Sequence, residues 1–456
     1  MVAVLHLVCA AGVAAGSDPT RAALMPSVVT VPEAAQASDH FDPVAATNAY
    51  LSQIPAEATA RSDAYFEGGY WLQLWDFLLG AALALLMLFL GWSARMRDLA
   101  QRLTHRRWLQ TGFYWLQYSL LTFAIGFPLT VYEGYFREHQ YGLATQTFGP
   151  WLGDQAKGLG IGFAVGGLGL SGLFAIIRRL PRTWWIWGAV VANVFAVVGI
   201  VIAPVYLVPI FNTPKPLSDA RVKAEVLKLA HANGVPTDDV YEVDASRQST
   251  RMSANVSGLG GTLRITLNDN LLKRGSPEEI RAVMGHEIGH YVLHHIYKDV
   301  LFFFVVICLG FACLRWALVA ALARYGEAWG VTEVSDPAVL PLAMLVIGSF
   351  FFLLIPLTNS WIRMQEFEAD MYGLNTSREP DGEAQADVHL GEYRKMNPGP
   401  LEELIFYDHP SGRNRIYAAM LWKANNLELF ERASDKGSAR PGTGAPPPLD
   451  DGRPKD

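Results

Sequence analysis

The stretch RAVMGHEIGHYVLHH, residues 281–295, stands just upstream of the apolar run VLFFFVVICLGFACL, residues 300–314. It sets four histidines and a glutamate at the threshold of a segment that could enter a bilayer. SPEE at 276–279 supplies a helix start, with Ser276 as N-cap, Pro277 at the first helical position and Glu279 closing a capping box. The predicted helix runs on through the histidines. On it His286 and His290 are four residues apart and leave one face, the separation at which two imidazole nitrogens reach one zinc ion at about 2.0–2.1 Å. Glu287, turned by roughly 100°, is placed to act on a water without ligating the metal. Gly285 and Gly289 read as leaving room beside the ion.

A catalytic zinc needs a third protein ligand and an open position. His294, His295 and distant carboxylates are the candidates, although His294 lies about 6 Å further along the helix axis and would have to reach back. In NSWIRMQEFEADMYG, residues 359–373, Glu366 and Asp370 are also four apart and share a face, while Glu368 points elsewhere. A helix carrying Glu366 against the HExxH helix would complete a His, His, Glu site, and Asp370 would accept the free N–H of a ligating histidine. On spacing alone, a solvated acidic face fits Glu366 and Asp370 equally well.

Working outward, 51% of the residues are hydrophobic and only 18% charged, a balance that points to the membrane. The net charge of -6 comes without a basic stripe, which excludes nucleic acid as a partner. Cys9, Cys308 and Cys313 are too few for a disulfide framework. A span takes about 20 mainly apolar residues. Segments at about 71–93, 111–132, 158–177, 184–211, 300–323 and 338–358 qualify, several flanked by tryptophans such as Trp71, Trp92 and Trp184. An α-helical integral membrane protein follows. Polar groups inside the spans, Asp76, Asn193 and Arg315, are costly against lipid and suit a wet chamber or, for Asp76, a snorkelling position.

Residues 1–16 are signal-like or a degenerate span, and the rest of 1–70 reads as a polar arm. Four spans over 71–211 lead to a zinc domain at 212–299, where a helix over 218–234, capped by Ser218, precedes a strand and a small hairpin. Two spans over 300–358 lead to a zinc-ligand helix and further catalytic-domain helices over 359–432. Residues 433–456 are too rich in Pro, Gly and charge to order themselves.

PIFNTPKPLSD, VDASRQSTRMSANVSG, RITLNDNLL, EEIRAVMGHEIGHYVLHH, QEFEAD and DHPSGRNRI follow one another as they do in the type I CAAX prenyl endopeptidase family, which the chain resembles over most of 65–430. That family comprises integral-membrane zinc proteases related to the heat-shock membrane protease. The resemblance implies a barrel of six or seven membrane helices around a water-filled chamber, with an α+β metalloprotease domain. It implies one zinc ion on His286, His290 and Glu366, with Asp370 behind the ligands and Glu287 as general base. His409 and Arg415 match a pair whose role is to stabilise an oxyanion, where the residues alone suggest a surface loop at a helix start. Asn255 matches an asparagine on the strand edge along which substrate lies.

The partners implied are the bilayer and a peptide or protein substrate, prenylated in the family, although no residue here requires prenylation. A bacterial inner membrane is the expected location. Orientation is contested: arginines at 95, 97, 102, 106, 107, 178, 179 and 182 put the zinc domain outside by the positive-inside rule, whereas the family implies the cytosol. The rival reading, a non-enzymatic zinc-binding scaffold or sensor, would lack the base or the oxyanion donors. Glu287, His409 and Arg415 are present.

Overall fold

The computed structural model describes residues 25–26, 28–258 and 260–430. The leader at 1–16 and the tail at 433–456 lie outside the described residues. Residues 25–26 and 28–51, expected as part of a polar arm, are instead docked. Helix α1 (Pro43–Leu51) turns Ala46 and Tyr50 inward, and these pack with Val29 and Ala35 against Leu374, Val388, Met420 and Trp422. Apolar residues four apart on a short helix, too few to form a core alone, find one on the C-terminal helices. The buried Lys423 fixes the contact by donating to the Ala35 carbonyl at 2.6 Å and to Asp381 at 2.5 Å.

Helix α2 (Ala56–Phe89) starts well before the apolar run at 71, so one continuous rod joins the docked segment to the membrane. It is followed by α3 (Trp92–Leu103), α4 (Arg107–Val131), α5 (Phe148–Arg179) and α6 (Trp184–Ile202), the last continued as helix to Phe211. Among the described residues four helices are long and apolar enough to cross a bilayer: Ala56–Phe89, Phe148–Arg179, Trp184–Phe211 and His295–Trp329. A pair bent by 52°, Pro337–Leu353 and Ile355–Ser377, makes a fifth.

The expected segment at 111–132 is the difference from six. It forms α4, whose Thr111, Gln117, Ser119 and Thr122 lower its hydropathy, and whose Tyr114 and Tyr118 are buried against protein. The Ser93 and Tyr114 hydroxyls meet at 2.6 Å. Within the crossing helices at most 22% of the most apolar window is buried. A packed bundle would bury a face of each helix, whereas a one-layer wall exposes both its lipid side and its inner side. Asn193 is satisfied on its own helix, donating to Ala189 O at 2.8 Å, and Arg315 lies 5.9 Å over the Trp185 ring.

The protease part begins with β1 (Lys215–Pro216), α7 (Ala220–Ala232), β2 (Val240–Val243), β3 (Ala254–Ser257) and β4 (Arg264–Asn268). Asp219 rather than Ser218 caps α7, because its carboxylate accepts from two first-turn amides, Arg221 and Val222. The sheet order is β1-β2-β4-β3, with β2 and β4 parallel and the expected hairpin pairing β3 and β4 antiparallel. β3 is therefore an edge. After α8 (Asp269–Arg274) comes α9 (Pro277–Val292), opened by the Ser276–Glu279 capping box. Ile280, Met284 and Ile288 on α9 join Val226, Ile265 and Leu267 in the core, which turns the histidine face the other way.

His294, in the left-handed region at φ 58°, reverses the chain into α10 (His295–Trp329). Next come α11 (Leu340–Leu353), α12 (Ile355–Ser377), α13 (Pro380–Leu390), α14 (Pro400–Phe406) and α15 (Gly412–Ala424).

Candidate metal centre and active site

Two helices carry the centre, and the sequence lets them approach closely. A Cβ on Gly285 would lie 3.0 Å from Gly373 O, and one on Gly289 would lie 3.2 Å from Ala369 O. A Cβ on Gly373 would reach His286 N at 2.8 Å. The glycines expected to leave space for an ion thus leave space for α12. Backbone against backbone, α9 and α12 bring Glu366 to the histidines.

Ligand atoms of His286, His290 and Glu366 all lie within 4.8 Å of one another. His286 Nε2 is 3.3 Å from Glu366 Oε2, His290 Nε2 is 3.5 Å from Glu366 Oε1, and the two Nε2 atoms are 3.0 Å apart. His286 spends its Nδ1 proton on Asp370 Oδ1 at 2.8 Å, so its Nε2 presents a lone pair. Glu366 Oε2 is buried and meets ring nitrogens, His409 Nε2 at 3.2 Å and His286 Nε2 at 3.3 Å, without an aligned hydrogen bond. A buried carboxylate oxygen lacking an aligned donor beside two facing ring nitrogens is unfavourable unless a cation joins them, so the residues present fit a zinc ion.

Glu287, beside these three, makes no short contact with them. Burial raises its pKa, opposed by the neighbouring histidines and by the Val256 amide of β3. A carboxyl poised above its ordinary range is the better proton acceptor near neutral pH. β3 packs directly against α9, which sets the edge strand beside the base. Asn255 on the same strand is exposed and pairs across the hairpin with Thr266.

His409 reaches the centre from the loop before α15, with Nε2 3.2 Å from Glu366 Oε2 and Nδ1 2.7 Å from Asp408. Arg415, expected beside an oxyanion, lies behind Asp370. Its Nε and Nη2 grip the Asp370 carboxylate at 3.0 and 2.5 Å, and it reaches Glu383 at 3.0 Å and Asp387 at 3.2 Å. With its guanidinium committed to three carboxylates and only 8% of the side chain exposed, Arg415 holds the residue that holds His286.

His294 is exposed and serves the turn, which removes it from the ligand candidates. His295, a candidate for the third ligand, stands instead between His290 and Glu368, and the place of Glu368 beside the centre was not revealed by the spacing. Buried His295 lies 2.9 Å from His290 Nδ1, and Glu368 is bonded to His295 and Lys298.

A helical membrane protein with two histidines and a glutamate gathered beside a poised second glutamate is a membrane-embedded metallopeptidase. Residues 216–423 match peptidase family M48, and residues 43–213 match the CAAX prenyl protease N-terminal region, described as five membrane helices. The chain is 30% identical over 311 residues to a CAAX prenyl protease 1 homologue of Dictyostelium discoideum, covering 66% of this chain and 69% of that one. An uncharacterised metalloprotease of Bacillus subtilis, YhfN, is 29% identical over 335 residues, 73% of this chain and 78% of its own. CAAX prenyl protease 1 of Saccharomyces cerevisiae is 29% identical over 316 residues, 66% and 70% of the two chains.

The crystal structure of S. mikatae Ste24p superposes with a TM-score of 0.70 at 24% identity, covering 81% of this chain and 89% of that one, and shows the same fold. The chain belongs to peptidase family M48 and is a multi-pass, membrane-embedded metalloendopeptidase.

Proposed function

We propose that the metal is zinc, one ion per chain, held by His286, His290 and Glu366. When bound, it supplies a Lewis acid that polarises a peptide carbonyl and makes a coordinated water acidic near neutral pH. Around it the chain does the rest. Glu287 takes a proton from the attacking water and returns it to the leaving amine. Asp370, braced by Arg415, fixes the tautomer and angle of His286. His409, steadied by Asp408, donates toward the carbonyl oxygen as it gains charge. Substrate lies extended along the free edge of β3, where main-chain hydrogen bonds and Asn255 hold it beside Glu287.

The observation that carries this reading is the convergence of His286, His290 and Glu366, whose ligand atoms all lie within 4.8 Å of one another. The substrates are peptides or membrane proteins. CAAX prenyl protease 1 among the relatives makes prenylated C-terminal peptides the first class to try. The location is a bacterial inner membrane with the protease part in the cytosol, checked by a reporter fused at the C-terminus. The function itself is tested by incubating the purified chain with matched prenylated and plain peptides, with and without a chelator. Chelator-sensitive cleavage is expected, and cleavage indifferent to the chelator would remove the metal from the reaction.

A further inference from the structure

The two histidines of the centre are braced differently. His286 is held by a carboxylate, whereas His290 turns its Nδ1 toward another imidazole, His295 Nδ1, at 2.9 Å. Two facing ring nitrogens can bond only if one carries a proton and the other does not. The far side of His295 decides which. Its Nε2 lies 3.1 Å from Glu368 Oε2, a carboxylate that can only accept and that also receives Lys298 Nζ at 2.6 Å. The Nε2 proton of His295 is therefore committed to Glu368. A His290 ring that ligates through Nε2 carries its one proton on Nδ1, so the 2.9 Å bond needs a bare Nδ1 on His295, and a His295 ring that gives its single N–H to Glu368 has one. With its proton on Nδ1, His290 presents a bare Nε2 to Glu366 and His286.

We propose that Glu368, His295 and Lys298 form an ordering relay that fixes His290 in the tautomer able to ligate the metal. The inference rests on the metal-centre reading above. His295 and Glu368 are positioning residues and touch neither ion nor substrate. The relay also has a mechanical side. His295 is the first residue of α10 and Lys298 lies one turn on, so the helix that enters the membrane carries the brace for a ligand on α9. Glu368 sits on α12 two residues from Glu366, and the same helix thus supplies a ligand and the anchor of the other ligand's brace.

The test measures zinc affinity of the purified full-length chain by competition with a chromophoric chelator, alongside bound zinc by elemental analysis. His295→Ala removes the acceptor and should weaken zinc about 10- to 100-fold, the loss usual when the partner of a ligating histidine is deleted. His295→Gln keeps a carbonyl oxygen able to accept from His290 and should recover most of that loss. A His295→Ala chain that binds zinc like the parent overturns the relay.

Should the buried substitution unfold the chain, Glu368→Ala carries the test, because that side chain is 40% exposed. It releases the His295 proton and should weaken zinc several-fold, and an unchanged affinity refutes the ordering. His290→Ala separates the two readings. If the parent binds no stoichiometric zinc, or His290→Ala binds as well as the parent, the centre itself is wrong; if only the relay variants are silent, the centre stands and the relay falls.

Discussion

Glu287 and His290 sit within one turn of each other, yet their loss should look different. Glu287→Gln keeps the shape and removes the base, so zinc content should stay at one per chain while kcat falls by about 10²–10⁴, the usual weight of general acid–base catalysis. His290→Ala should lose both metal and turnover. Elemental analysis and peptide cleavage on the same preparations distinguish them, and an active Glu287→Gln chain would end the assignment of the base. Arg415 should fail differently again. The guanidinium is the cation that pairs with the buried Asp370 carboxylate, and Glu383 and Asp387 face it from the other side. Arg415→Leu leaves that anion buried and should cost about 3–5 kcal/mol of stability. Denaturant titration checks it, and because the bidentate grip is planar, Arg415→Lys should not restore the parent midpoint.

At the scale of elements, the HExxH helix was legible because period, cap and proline agree over SPEEIRAVMGHEIGH, and the structure repeats that agreement down to both bonds of the capping box. The seam between α9 and α12 was legible only by half. Gly285 and Gly289 were legible as space but were read as room for the ion, whereas what fills that space, Gly373 and Ala369, lies some 80 residues away in sequence. For the same reason no local pattern could join Glu368 to His295, or tell that Arg415 would face Asp370. Membrane segments were legible where Leu, Val and Phe dominate and less so for α4, whose hydroxyls and amides find partners inside the protein. A direct consequence of the seam is that Gly373→Ala should force the helices apart by several tenths of an ångström and cost about 1–3 kcal/mol. Zinc affinity should fall with helix content intact, and an unchanged affinity would mean that the close approach does not set the ligand distances.

A second element carries a pH signature. Asp269 opens α8, and although burial pushes its carboxyl up, Lys273 at 2.6 Å and the Ser246 amide at 2.9 Å hold it below its ordinary value. A depressed carboxylate contributes stability that is whole above the unfolded value near pH 3.9 and is lost as pH falls through the folded value. Acid unfolding curves of Asp269→Asn should therefore be flatter than those of the parent on that limb, with the parent the more stable at pH 6.

Over the whole molecule, the centre joins parts that the fold otherwise connects at a distance. His286 and His290 stand on a helix packed to the sheet, and α10, which starts at His295, leaves that place for the membrane. Glu366 arrives on α12, which shares the bent span with α11. A cation on these three side chains therefore ties the sheet core to the end of a membrane helix, and it can do so only in the folded chain. Binding confined to the folded state stabilises by RT ln(1 + [L]/Kd), about 4 kcal/mol at a free ion concentration a thousand times Kd. Thermal unfolding in detergent should accordingly shift upward by several degrees on zinc addition to chelated protein and scale with the logarithm of free zinc. The same titration on His290→Ala should be flat. A parent midpoint insensitive to zinc would contradict the bridge, because an ion held by two separate helices must pull the unfolding equilibrium toward the state in which those helices meet.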